Sequence, residues 1–86
     1  MNIDFQGQTV IVTGAAHGFG RAIAHAFARN GAAVWACDLN DSGLAETARL
    51  AAHDGLTIQT RTVDVGDGAA VQALVAEVAA ATGRVD

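Results

Sequence analysis

The chain has 86 residues, which is enough for one small domain. Apolar residues make up 51% of it and charged residues 16%, which indicates a packed globular unit rather than a disordered one. The net charge is −4 and the five basic residues are scattered arginines, so we expect no DNA or RNA binding. With one cysteine, no signal-peptide pattern and no membrane-length apolar run, the sequence predicts a cytoplasmic protein that does not contact membranes.

The first part of the chain predicts a strand, a helix and a second strand. Residues 9–13 form a β-branched run that stops at Gly14, as expected for a strand buried on both faces. A helix is predicted over residues 18–30, followed by a short buried strand over 33–37. The apolar positions that share one face of this helix are Ile23, Ala26 and Phe27.

A second helix is predicted next, with Asp41 or Ser42 as its N-cap and a break at residues 54–55. Its inward positions are Leu44, Ala48 and Ala51. Residues 56–63 then begin with an alternation of apolar and polar side chains, which is typical of a strand at the edge of a sheet.

A third helix is predicted with Asp67 as its N-cap and an end at residues 82–83. Its inward positions are Val71, Leu74, Val75 and Val78. Residues 84–86 then read as the approach to a fourth strand. The alternation of strands and helices predicts an α/β fold with a doubly wound parallel sheet of Rossmann type, strand order 3-2-1-4 and right-handed crossovers. We expect residues 1–86 to be the first βαβαβα portion of a dinucleotide-binding domain, ending before the fourth strand.

Three glycines join the first strand to the first helix. Gly14 permits a tight turn, Gly18 lets the backbone approach a bulky anion, and Gly20 allows the helix to pack closely on the strand. The free amides of the helix N-terminus and the helix dipole then favour a phosphate group. A glycine triplet alone also fits a turn that only packs, but the strand before it and the helix after it favour the nucleotide site. No Lys-Ser/Thr pair follows, which disfavours a P-loop.

Asp38 follows the second predicted strand, at the distance from Gly20 where dinucleotide-binding folds place an acid for the adenosine ribose. The alternative is that Asp38 only caps the next helix. A 2′-phosphate at the same place would meet like charge, worth roughly 1–4 kcal/mol at ~4 Å. The sequence therefore predicts NAD in preference to NADP.

The spacing Thr-Gly-x-x-x-Gly-x-Gly over residues 13–20 resembles the short-chain dehydrogenase/reductase family. Residues 30–32 (Asn-Gly-Ala), 64–65 (Asp-Val) and 83–86 (Gly-Arg-Val-Asp) resemble the same family. The resemblance implies an NAD-dependent oxidoreductase that transfers a hydride between an alcohol or carbonyl substrate and the cofactor, acting as a homodimer or homotetramer. The resemblance also implies that a basic residue near the position of His17 often accompanies NADP, which slightly weakens the preference for NAD set by Asp38. In that family catalysis rests on later segments with a serine and a Tyr-x-x-x-Lys pair. This chain has no tyrosine and no lysine, so no catalytic residue is assigned and the segment alone is expected to be inactive.

Nine residues are predicted to contact the cofactor. They are Gly14, His17, Gly18, Phe19, Gly20, Asp38, Leu39, Asp64 and Val65. Asp64 accepts a hydrogen bond from adenine in the family-based interpretation and caps the strand end in the plainer one. The three histidines are widely spaced, so no metal site is predicted. Two alternatives remain, a noncatalytic nucleotide-binding module and, less favoured by the glycine spacing, a fragment of a methyltransferase that uses S-adenosylmethionine.

Overall fold

The computed structural model describes residues 7–82, in which three strands alternate with three helices. The elements in chain order are β1 (Thr9–Thr13), α1 (Gly18–Arg29), β2 (Ala33–Asp38), α2 (Asp41–His53), β3 (Ile58–Thr62) and α3 (Gly68–Thr82). The predicted α/β fold is confirmed. The predictions for residues 83–86, including the fourth strand, lie outside the described residues.

All strand pairs in the described sheet are parallel, and the order is β1-β2-β3. The register aligns Thr13 with Cys37 and Asp38 with Thr62, so the three strands end at a common edge. β3 lies at the side of the described sheet, as its alternating pattern predicts. Whatever follows each strand is therefore brought to one edge, where ligands of open α/β sheets bind.

Helices cover both faces of the sheet. On β2, Val34 and Ala36 pack in a core with α1 and α2, whereas Trp35 and Cys37 pack in a second core with α3. This alternation is the period of two that a strand imposes, and it buries β2 on both faces as predicted. β1 shows the same pattern less completely. Its Val12 is buried, while Ile11 is only half-buried.

The face that α1 turns toward the sheet differs from the predicted one. Ala24 and Ala28 are buried, Ile23 and Phe27 are half-buried, and Ala26 is exposed, so the prediction for Ala26 was wrong. The physical reason is a stripe of small residues at a spacing of four, which starts at Gly20 and continues through the two buried alanines. These residues let the helix axis approach the strands closely, and they displace the larger side chains to the flanks.

The start of α2 also differs from the prediction. Its N-cap is Asn40, whose Oδ1 accepts a hydrogen bond from the Gly43 amide at 3.0 Å. Asp41 is instead the first helical residue, and its Oδ1 accepts from the Thr62 hydroxyl of β3 at 3.0 Å. The observed cap therefore lies one residue before the first predicted cap, Asp41, and two before the other, Ser42. Its buried face contains Thr47 with Leu44 and Ala51, while Ala48 is half-buried.

The start of α3 agrees with the prediction. The Asp67 Oδ1 accepts hydrogen bonds from the amides of Ala69 at 3.1 Å and Ala70 at 3.2 Å, which makes Asp67 the cap. Leu74 and Val78 are buried against the sheet, whereas Val75, predicted to face inward, is 41% exposed.

Candidate functional site

The glycine turn between β1 and α1 is built from conformations that side chains would disturb. Gly14 and Gly18 have φ values of 66° and 59°, in the left-handed region that favours glycine, and the space over both is open. A Cβ at Gly20 would overlap the carbonyl oxygen of Gly14. The turn thus combines an open outer surface with a close contact beneath it, as a backbone approached by a ligand requires.

The N-terminus of α1 has no side-chain cap. His17 occupies the N-cap position in extended conformation, and it makes no capping hydrogen bond; the first turn of α1 has no acidic residue. By contrast, α2 is capped by Asn40 and α3 by Asp67. His17, Gly18 and Phe19 are exposed, Phe19 to 81%. The amides of this helix end are therefore available to an anion from solvent.

Asp38 is fixed against the glycine turn. Its Oδ1 accepts from the Asn40 amide at 3.0 Å and its Oδ2 from the Ala16 amide at 3.2 Å. These donors, led by Asn40 and helped by the positive field of His17, hold the pKa of the Asp38 carboxyl below its ordinary value. Asp38 is thus ionised at neutral pH. The Ala15 amide also donates to the Cys37 carbonyl at 3.1 Å, so two bonds join the turn to the end of β2.

A small cleft of about 150 Å³ opens where the three strands end. Its lining residues are Gly14, Asp38, Leu39, Val63, Asp64 and Val65. The structure therefore brings together five of the nine predicted residues, from three segments far apart in sequence. Leu39 and Val65 are 65% and 59% exposed, which gives the cleft two apolar walls beside a carboxylate. The other four predicted residues belong to the adjoining turn.

The two acids after β3 have separate tasks. The Asp64 Oδ1 accepts from the Gly66 amide at 2.8 Å, which shapes the loop and leaves the residue on the cleft wall. Asp67 caps α3 and does not line the cleft. The bond from the Gly66 amide agrees with the plainer interpretation, in which Asp64 caps the end of the strand, and the second Asp64 oxygen has no hydrogen-bond role assigned to it so far.

Four residues near the turn were missed by the sequence analysis. They are Arg21, Asn40, Gly43 and Thr47. A Cβ at Gly43 would lie 2.7 Å from the Ala16 Cβ, so α2 touches the turn directly. The glycine in the first turn of a helix was a visible signal for that contact. Nothing in the sequence indicated Thr47, because its contacts to the turn join residues far apart along the chain.

A larger groove of about 780 Å³ separates α1 from α2 on the outer surface. Its basic side chains already have partners, since Arg49 pairs with Glu46 and His25 with Asp54. Of the nine predicted residues, Gly18 alone lines this groove, at the end nearest the glycine turn. Within residues 7–82 there is no cluster of metal-ligating side chains, and no helix is long and apolar enough to cross a membrane.

Comparison with known proteins identifies the family. The family model of the short chain dehydrogenases matches residues 8–86. The chain belongs to this family. Among curated proteins, it is 41% identical over 90 residues to a D-threitol dehydrogenase of Mycolicibacterium smegmatis, covering 100% of this chain and 35% of that protein.

Solved structures of short-chain dehydrogenases superpose on the chain. A short-chain dehydrogenase/reductase from Burkholderia phymatum in complex with NAD has a TM-score of 0.87 and 35% identity, over 96% of this chain and 30% of that one. A metagenomic short-chain oxidoreductase in complex with NADP has a TM-score of 0.88 and 32% identity, over 94% of this chain and 37% of that one. The chain thus spans about a third of the length of these relatives.

Proposed function

We propose that this chain is the cofactor-binding part of an NAD-dependent oxidoreductase that interconverts an alcohol and a carbonyl compound. The observation that carries the proposal is the uncapped start of α1 beside a cleft that contains the Asp38 carboxylate. When bound, the nicotinamide cofactor supplies the hydride acceptor or donor. The residues of this chain bind and orient it, and none of them takes part in the chemical step.

The pyrophosphate is proposed to lie over Gly14 and Gly18, against the first amides of α1. The open space over both glycines lets the backbone approach the phosphates. The helix dipole adds about 0.3–1 kcal/mol for negative charge at this end. Since the first turn of α1 contains no carboxylate that would compete, these amides are proposed to bind the anion.

The adenosine is proposed to fill the cleft at the strand ends. The amides that donate to Asp38, those of Asn40 and Ala16 foremost, do not exhaust the roughly four acceptor sites of a carboxylate, so a site is left for a ribose hydroxyl. Leu39 and Val65 provide apolar walls for adenine. Asp64 has one oxygen committed to Gly66, and its second oxygen is proposed to accept from the adenine amino group.

NAD is proposed in preference to NADP, although the two solved relatives contain one of each. A 2′-phosphate would lie beside the ionised Asp38, at a cost of roughly 1–4 kcal/mol at ~4 Å. This corresponds to an affinity difference of about tenfold to several hundredfold. His17 lies in the same turn and its field opposes that of Asp38, but the charge of the Asp38 carboxylate is proposed to dominate.

The test is to measure the dissociation constants of NAD and NADP on the full-length protein by calorimetry. NAD should bind tighter, and Asp38→Ala should narrow the gap. Leu50→Ala, a change on the outer groove, is the control and should leave the ratio unchanged. Equal or tighter binding of NADP by the wild type would overturn the cofactor assignment.

A noncatalytic nucleotide-binding module would share the same cleft, so binding alone does not separate it from an enzyme. Turnover of a panel of small alcohols and carbonyl compounds with NAD or NADH does. We further propose a cytoplasmic homodimer or homotetramer, in keeping with the buried free thiol of Cys37 and the family resemblance. Size-exclusion chromatography with light scattering measures the assembly.

A further inference from the structure

We propose that Arg21 is a positioning residue for the pyrophosphate, acting through the backbone of the glycine turn. The proposal rests on the proposed function. Arg21 lies in the first turn of α1, directly after Gly20, and its half-buried side chain extends to α2. Its terminal nitrogen donates to the carbonyl of Ala16 in the turn and, at 3.1 Å, to the carbonyl of Gly43 in α2.

Thr47 completes the contact between α2 and the turn. Its hydroxyl lies 2.6 Å from the Ala15 carbonyl and accepts from the Arg21 Nε at 2.9 Å. A hydroxyl has one proton, and the shorter distance assigns it to Ala15. The residue is fully buried, so these two bonds satisfy a group that water cannot reach. Arg21 and Thr47 thereby fix the two consecutive carbonyls of the turn.

Fixing a carbonyl also fixes the amide on the other side of the same peptide plane. The peptide bonds here are trans, so the N–H and the C=O of each unit point in opposite directions. In the peptide from Ala15 to Ala16, the oxygen bonds to Thr47 and the N–H donates to Asp38 at 3.2 Å. In the next peptide, Arg21 holds the Ala16 oxygen, so the His17 N–H points to the opposite side of the peptide plane, away from the guanidinium.

Arg21 also adds charge at this end of α1. A cation in the first turn opposes the helix dipole, a cost of about 0.3–1 kcal/mol that carbonyl and hydroxyl partners offset. The same cation favours a bound dianion. The guanidinium therefore acts in two ways, by orienting an amide and by raising the local positive potential. Neither effect requires a direct contact between the Arg21 guanidinium and the phosphates.

The experiment compares Arg21→Met, Arg21→Lys and the surface control Arg49→Met in the full-length protein. Arg49 pairs with Glu46 on the exposed face of α2. The probes are NAD, which includes the pyrophosphate, and adenosine, which does not. Arg21→Met should weaken NAD binding by about tenfold or more, the loss expected for a charged hydrogen-bond donor. Adenosine affinity should stay within about twofold, and the salt dependence of NAD binding should decrease.

Arg21→Lys keeps the charge but cannot reach three acceptors with one rigid fork, so its NAD affinity should lie between those of wild type and Arg21→Met. It also keeps the test decisive if Arg21→Met does not fold. Arg49→Met should bind both probes like the wild type. The proposal is overturned if the folded Arg21 variants bind NAD like the wild type, or if they lose NAD and adenosine affinity equally. Failure of the wild type to bind NAD instead overturns the proposed function, and this inference with it.

Discussion

The N-termini of α1 and α2 lie side by side, but only that of α2 has a side-chain cap. Asn40 caps α2 and has its own amide bound to Asp38, so that end is closed by protein groups. At α1, His17 sits in the capping position without capping. Helix ends normally satisfy their free amides with side chains or water. α1 thus forgoes a local stabilisation and leaves its first amides open for the proposed anion site, whereas the start of α2 packs against the glycine turn and supports it.

The largest expected effect comes from closing the open end. In His17→Asp the new carboxylate caps α1 and meets the phosphates at short range. The cap should raise the free energy of unfolding by about 1 kcal/mol. NAD affinity should fall by about tenfold to several hundredfold, because like charges near a protein surface repel by roughly 1–4 kcal/mol. Chemical denaturation and NAD calorimetry on the same samples measure the two changes.

His17→Asn is the matched control, because it caps the helix without adding charge. It should stabilise similarly and lose less affinity. A His17→Asp protein that binds NAD as tightly as the wild type would show that no phosphate lies at this helix end.

The next effect concerns how close α1 lies to the strand before it. Gly20→Ala places a Cβ against the Gly14 carbonyl, and the resulting overpacking should cost about 1–3 kcal/mol of stability and weaken NAD binding. Gly68→Ala is the control at the start of α3, where the space is open. It should be neutral or stabilising by about 0.4–1 kcal/mol. Thermal unfolding measures the stability of both variants. Equal stabilities of Gly20→Ala and Gly68→Ala would contradict the close contact between Gly20 and the Gly14 carbonyl.

A smaller effect should distinguish a helix cap that supports both the fold and the candidate site from one that supports the fold alone. Asn40→Ala and Asp67→Ala each remove one helix cap, at a cost of about 0.5–2 kcal/mol. Only the first should also weaken NAD binding, since α2 touches the turn through Gly43 while α3 packs on the other face of the sheet. Denaturation and calorimetry are again the measurements. If both variants retained full NAD affinity, the start of α2 would have no part in shaping the turn.

The sequence predicts most of this fold and the location of the candidate site because both depend on local signals. The strand runs, the glycines and the acid after β2 can each be recognised from a few neighbouring residues. The parallel topology then places Gly14, Asp38 and Asp64 at one edge of the sheet. What it does not predict is set by contacts between distant elements. Which face of α1 packs inward depends on how the helix docks on the sheet, where the small residues Ala24 and Ala28 fit better than Ile23 and Phe27. The contact of Thr47 with the Ala15 carbonyl exists only once α2 is docked.

The smallest effect is a pH dependence at Asp38, the residue that joins the two helix starts. Its pKa in the folded chain lies below the ordinary value of 3.8, because backbone amides of Asn40, Ala16 and Leu39 donate to the carboxylate. The unfolded chain therefore holds the proton more tightly, so the contribution to stability is complete above that value and is lost as the pH falls through the folded pKa. Denaturation midpoints of wild type and Asp38→Asn should converge below about pH 4. A difference that stays constant from pH 6 to pH 2 would mean that those amides gain nothing from the charge, and Asp38 would then hold the turn as a neutral acceptor does.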